Sequence, residues 1–147
     1  MQYEDLVKDF VDRTTFNLNL VRDKVTNGEE GYEVTQFINS LLGLLVFPQQ
    51  TFYDKIPETP LADLEKDGWP IPRIRGNYPQ VSNLKELTKY LRNCIAHFNL
   101  QFTETSGHVD GLIIWNVLNG HKNWEAELKI EELEGITGRF AQLLLKE

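Results

Sequence analysis

All six prolines of the chain lie between Pro48 and Pro79, at positions 48, 57, 60, 70, 72 and 79. Proline fixes φ, lacks a backbone donor and pushes the preceding residue toward extended backbone, so this stretch cannot be one regular helix or a central strand. Residues 48–81 therefore read as an irregular connection, with one short helix over Leu61–Lys66 before Asp67-Gly68. A connection this long is either a packed cover over the helices or a functional loop. Within it Arg73 and Arg75 flank Ile74, and an extended chain would put both on one basic edge. Regular structure has to come from the two arms on either side.

In the first arm, Leu6, Val7, Phe10, Val11, Leu18 and Val21 recur mostly at helical spacing, and Asn27-Gly28 supplies a stop. Tyr32–Phe47 reads as a second helix, ended by Pro48 and apolar nearly all round, hence buried. Its polar and small residues are grouped: Glu33, Gln36, Ser40 and Gly43 share about a quarter-turn, with Asn39 beside them. Such a stripe is either a close helix contact with satisfied polar groups or a face turned to a site or subunit. Gln36, Asn39, Ser40 and Gly43 are therefore interface candidates.

The second arm opens at Asn83, where Glu86 three residues on completes a capping box, and the helix runs to about Phe98. The period then changes. Leu100, Phe102, Thr103 and Thr105 suggest a strand, Leu112–Val117 is a strong one, and Trp124–Leu128 alternates as a third. Ser106-Gly107, Asp110-Gly111 and Asn119-Gly120 are turn signals. Trp115 and Trp124 read as sheet packing rather than a base-stacking platform. Glu131–Glu147 closes the chain as a helix with Leu133, Ile136, Phe140, Leu143 and Leu144 on one face. The fold class is mainly α (α+β), a helical bundle with an antiparallel β insertion rather than a doubly wound sheet.

At 147 residues the expectation is a single domain, 1–147. The composition, 41% hydrophobic and 11% aromatic, supports a core. The net charge of -7 does not draw in nucleic acid, so any such function must rest on a local basic patch. The single cysteine, Cys94, excludes an intramolecular disulfide. The N-terminus has no signal-peptide pattern, and the apolar run Leu41–Phe47 is too short to span a bilayer. A soluble cytoplasmic protein with no membrane association is expected. There is no Gly-rich phosphate loop, Walker sequence or serine-nucleophile elbow. His97, His108 and His121 fall in one quarter of the chain, but Cys94 faces the core on a helical wheel and the latter two histidines sit beside turns. No metal and no cofactor are expected.

The local basic patch is on the helix of residues 84–99. Leu84, Leu87, Leu91, Cys94, Ile95 and Phe98 form its core face at about 100° per residue. Lys85, Lys89, Arg92, Asn93, Ala96 and His97 lie opposite, with Glu86 the acidic exception. Ala96, near the middle, permits close approach. Arg92 and His97 are about 140° apart on the wheel and about 7.5 Å apart along the axis. One copy does not obviously close on a small atom, whereas two copies across a two-fold axis would. Imidazole exchanges protons near neutral pH, and guanidinium holds phosphate. RNA brings its own nucleophile in the 2′-hydroxyl. An Arg and a His five apart are otherwise an ordinary surface or capping pair.

Arg92-Asn93-Cys94-Ile95-Ala96-His97 resembles the Arg-x-x-x-x-His motif of the HEPN superfamily (higher eukaryotes and prokaryotes nucleotide-binding). Residues 32–48, and the hairpin right after the motif helix, are similar to an uncharacterised plasmid- and chromosome-encoded bacterial branch of it. The resemblance implies an up-and-down bundle of four to five helices, with the small sheet between the motif helix and the C-terminal helix. It implies a homodimer with motif helices facing, and a metal-independent endoribonuclease of toxin–antitoxin, phage-defence or RNA-processing type. Arg92 and His97 would be the catalytic pair and Asn93 a supporting residue. Lys85, Lys89, Arg73 and Arg75 are phosphate-binding candidates on the RNA substrate, and Ala96 joins the interface candidates. An antitoxin protein partner is a further implication. The alternative is a non-catalytic HEPN module that binds nucleotide, RNA or a protein.

Overall fold

The computed structural model describes residues 3–29 and 33–145. Helix α1, Tyr3–Thr26, turns Val11 and Leu18 into the core and stops at Asn27-Gly28, where Gly28 takes φ +82°. Helix α2 covers Glu33–Leu41, so its expected first residue, Tyr32, lies outside the described residues. Pro48 does not end this helix as expected. A π-helical turn, Leu42–Val46, leads into α3, Phe47–Thr51, with Pro48 in its first turn. Val46, the residue before α3, keeps helical dihedrals (φ −64°, ψ −54°), so the chain passes from the π-helical turn into α3 without unwinding. Phe37, Leu41, Leu44, Leu45 and Val46 are buried, as the all-round apolar pattern required.

The connection that follows carries the short helix α4, Leu61–Lys66, where it was expected. It also carries strand β1, Arg73–Ile74, which the proline pattern concealed. Asn83 caps α5, Leu84–Ala96, its Oδ1 accepting the Glu86 N–H at 2.9 Å. Leu84, Leu87, Leu91, Cys94 and Ile95 are buried, so the predicted core face holds up to Ile95. The last helix, α6, is Ile130–Leu145, with Leu133, Ile136, Phe140 and Leu144 buried.

Between α5 and α6 lie β2, Leu100–Thr105, β3, His108–Leu118, and β4, His121–Lys129. The antiparallel sheet runs β1-β4-β3-β2, with Arg73 opposite Glu127 and Ile74 opposite Ala126. Leu112, Ile114, Trp124, Ala126 and Leu128 form its buried face. Helix α5 packs between β3 and the π-helical turn, and so sits at the centre of the molecule. Ser106-Gly107 and Asn119-Gly120 make the two hairpin turns, each with both residues at positive φ, the geometry that matches strand twist.

Asp110-Gly111 is not a turn. The pairing jumps from Thr103 opposite Gly111 to Glu104 opposite Val109, which leaves Asp110 as an extra, bulged residue within β3. The Thr103 and Thr105 hydroxyls donate to its carboxylate, Thr103 at 2.6 Å, and these bonds hold the exposed carboxyl below the usual carboxylate range. A second bulge lies in β4. Asn116 opposes Trp124 and Val117 opposes Lys122, so Asn123 is the extra residue.

Candidate functional site

Helix α5 stops at Ala96, earlier than its apolar spacing suggests, and His97 is its C-cap at φ −96°, ψ 3°. The Phe98 N–H reaches Ile95 O at 3.1 Å and the Asn99 N–H reaches Cys94 O at 2.8 Å. This is the paired closure of a Schellman motif, whose left-handed residue is usually glycine. Here it is Phe98, at φ 55°. A left-handed L-residue costs about 1–2 kcal/mol. The expected place of Phe98 on the core face is therefore wrong: the reversal of hand swings the ring outward, and it is 65% exposed. Asn99 O then accepts the Trp115 N–H at 3.2 Å, which starts the chain into the sheet.

From this helix end runs a chain of amide hydrogen bonds. Arg92 Nη1 donates to Asn93 Oδ1 at 2.8 Å, and Asn93 Nδ2 donates to Asn116 Oδ1 at 3.1 Å. Asn116 Nδ2 donates to Asn123 Oδ1 at 2.8 Å, and Asn123 Nδ2 to Tyr90 Oη at 3.2 Å. Asn116 is buried at 4% exposure, and the bulge brings Asn123 to it, a common use of bulges beside sites. Tyr90 packs edge-to-face on buried Trp124, ring centroids 5.5 Å apart. Trp124 Nε1 donates to Gln80 Oε1 at 3.3 Å, and Gln80 Nε2 donates to Pro72 O at 2.9 Å. The half-buried Arg92 keeps a buried Nε with no hydrogen-bond partner among the described residues.

His97 is exposed, and with Asn93, Asn99, Asn116 and Val117 it lines a cavity of about 410 Å³. Two members of the predicted motif, Asn93 and His97, thus meet at one hollow, and Arg92 is tied to it through Asn93. Cys94 points the other way. It is fully buried, its Sγ donates to Trp115 O at 2.9 Å, and burial pushes the thiol up to about 12.

Lys85 and Lys89 border a separate cleft of about 220 Å³ with Tyr53, Glu58, Asn83, Glu86 and Tyr90. Lys85 Nζ lies 4.5 Å from the Tyr53 ring centroid, and Lys89 is exposed. Arg73 and Arg75 lie elsewhere, already matched by carboxylates. Arg73 Nη1 is 3.0 Å from both Glu132 carboxylate oxygens, and Arg75 Nη1 is 3.4 Å from Glu125 Oε2. The pairing of β1 with β4 brings these arginines alongside Glu125 and Glu127 of β4 and Glu132 of α6, so the expected basic edge is neutralised. Of the stripe on α2, Ser40 is buried, donates to Gln36 O at 2.8 Å and accepts from Gln36 Nε2 at 3.2 Å. Gly43 is buried, whereas Asn39 and Ala96 are exposed.

Asn99, Asn116, Asn123 and Tyr90 were missed by the sequence reading. The available signal was Asn116, an amide inside the apolar run Leu112–Val117, since asparagine is depleted in strands.

The helical core with its inserted antiparallel sheet, and an Arg-x-x-x-x-His motif ending at a cavity, define an α+β domain of HEPN type. Residues 1–147 match the family described as HEPN pEK499 p136, and the chain belongs to it. No curated protein and no solved structure matches the chain. Membership points to an RNase or nucleotide-binding module. Among the described residues, no helix is long and apolar enough to cross a membrane.

Proposed function

We propose that this chain is a metal-independent endoribonuclease that cuts RNA through the neighbouring 2′-hydroxyl. The observation that carries the reading is the helix end itself. His97 stands exposed on the wall of a cavity whose next lining residue, Asn93, holds the Arg92 guanidinium at 2.8 Å. In the proposed reaction the His97 imidazole takes the 2′-hydroxyl proton, and the oxygen attacks the adjacent phosphorus. The 5′-oxygen leaves and is protonated by an imidazolium, either the same one or its two-fold mate. Arg92 stabilises the charge that gathers on the non-bridging oxygens. The products are a 2′,3′-cyclic phosphate and a 5′-hydroxyl. The active unit is a homodimer whose α5 helices face each other across exposed Ala96, which puts two Arg–His pairs at one seam. Lys85 and Lys89 lie on the same helix and take flanking phosphates. In the cell, such an enzyme acts as a toxin or phage-defence effector held by a protein antitoxin.

The test is incubation of purified protein with mixed RNA in EDTA, beside His97→Ala and Arg92→Ala. Wild type should leave cyclic-phosphate ends, and loss of the general acid–base group should slow cleavage by about 10²–10⁴. No cleavage of a range of RNAs by a confirmed dimer refutes the nuclease. One feature favours a second reading, a module that binds nucleotide, RNA or protein without cutting. The Arg92 guanidinium is half-buried and already bonded to its own chain.

A further inference from the structure

We infer that the cavity beside His97 is a nucleobase subsite. It takes one unpaired base of a bound RNA, read by the carboxamides of Asn99 and Asn93 and stacked on Phe98. The inference rests on RNA being the ligand, as proposed above, but not on RNA being cut.

Three observations carry it. First, the cavity, about 410 Å³, is the size of a small-molecule pocket. Its polar lining is Asn93, Asn99, Asn116 and His97, with no carboxylate and no lysine or arginine among the lining residues. Carboxamides set a donor and an acceptor side by side, which is the pattern on a base edge. A bare phosphate would ask for cations, and a purely apolar ligand would leave the amides unmatched.

Second, these amides are not equally committed. Asn116 gives one N–H to Asn123 and its oxygen to Asn93, which fixes it as the back wall. Asn93 is oriented by Arg92 on one side and Asn116 on the other. The Asn99 side chain has no hydrogen-bond partner among the described residues, although its backbone is pinned at both N–H and C=O. A rigidly held residue with a free donor–acceptor pair is suited to recognition.

Third, Phe98 sits between His97 and Asn99, both of which line the cavity, in a left-handed conformation that glycine would adopt without strain. Its ring is 65% exposed, so the core gains little from it. Strain held at a position with no packing return marks functional sites. Unpaired bases stack on aromatic rings of this kind in single-strand recognition. Val117, 43% exposed, adds an apolar patch to the wall.

The experiment uses 2′-O-methyl oligonucleotides, whose blocked 2′-oxygens cannot attack. Each of four sets carries one base type, A, C, G or U, alternating with abasic positions. Fluorescence anisotropy should show the wild-type protein favouring one base type by about tenfold or more, the scale of one stacked and read base. Asn99→Ala and Phe98→Gly should each collapse that preference, while Phe98→Gly melts at the same temperature as wild type or higher. Equal affinity for all four sets, no measurable binding, or a preference that survives both variants overturns the subsite. Loss of dimer by Phe98→Gly in sedimentation would also overturn it, by making the ring a subunit contact. Cleavage of unmodified RNA separates the two ideas. Cleavage without base preference sinks the subsite alone, and base preference without cleavage sinks the nuclease alone.

Discussion

The hydrogen bond between Asn93 and Asn116 ties the motif helix to the inserted sheet, and a double-mutant cycle measures it. Asn93 Nδ2 donates to Asn116 Oδ1 at 3.1 Å, a bond between neutral amides, with a typical net value of about 0.5–1.5 kcal/mol. Asn116→Ala also loses the bond to Asn123 at 2.8 Å. The single variant should therefore cost about 1–3 kcal/mol. Asn93→Ala loses its bond to the Arg92 guanidinium as well and leaves Asn116 Oδ1 buried without a partner. That acceptor sits at the cavity wall, where water can replace part of what is lost, so the cost stays within about 1–3 kcal/mol. Once either partner is gone, removing the other cannot break the shared bond again. The double variant should fall short of the sum by about 1 kcal/mol. Urea unfolding followed by tryptophan fluorescence reads this directly, because Trp124 is fully buried. In thermal melts each kcal/mol should move Tm by about 2–4 °C for a domain of this size. Strict additivity, with a coupling under about 0.3 kcal/mol, would refute the claim that the amide chain is a connected structure.

The two glycines Gly111 and Gly138 should respond oppositely to alanine. A Cβ at Gly111 would lie 2.6 Å from Leu128 O and 2.9 Å from Thr103 Oγ1, so Gly111→Ala should destabilise by about 1–3 kcal/mol in urea melts. A Cβ at Gly138, on α6, meets nothing within 4 Å, and Gly138→Ala should stabilise by about 0.4–1 kcal/mol. Cys94 should resist iodoacetamide in the native protein at pH 8 and react once unfolded. Its thiol is raised from 9.0 to about 12, so the unfolded chain ionises first as pH rises. Its contribution to stability is full below pH 9 and falls between 9 and 12 by about 1.4 kcal/mol per pH unit; Cys94→Ala should lack that fall. Asp110 has the opposite sign. Its lowered carboxyl adds stability that is present above its ordinary value and is lost as pH drops through the folded value. Asp110→Asn should flatten the acid limb of a stability–pH curve.

Much of this fold was legible because its signals are local. The capping pair Asn83 and Glu86, the apolar stripe of α5 through Ile95, and the Ser106-Gly107 and Asn119-Gly120 turns each act within a few residues. The misses share a cause, since each depends on a partner distant in sequence or on a change of hand. Asp110-Gly111 carries the dipeptide of a turn, yet Thr103 and Thr105 capture Asp110 as a bulge instead. Arg73 and Ile74 sit among prolines, yet a short edge strand needs few donors and β4 offered a place. Phe98 continues the apolar period of α5, but the period says nothing about where a helix unwinds.

The inserted sheet belongs with the motif helix for a geometric reason. An Arg and a His five apart on a straight helix point about 140° away from each other. The structure departs from that geometry at both ends. His97 leaves the helix as its C-cap, and Arg92 is held by Asn93, whose other side is held by Asn116 of β3. Asn116 depends in turn on Asn123, which reaches it because β4 bulges there, and Asn123 leans on Tyr90 of α5 itself. The chain of bonds therefore leaves α5 at Asn93 and returns to it at Tyr90, one helical turn away. A closed loop of this kind restricts the Asn93 side chain, and with it Arg92, far more than helix packing alone. Truncating the bulged residue by Asn123→Ala should accordingly free Asn116, and through it loosen Asn93, Arg92 and the back wall of the cavity together. RNA cleavage and base preference at the cavity should therefore both fall, and a variant that keeps both at the wild-type level would contradict this linkage.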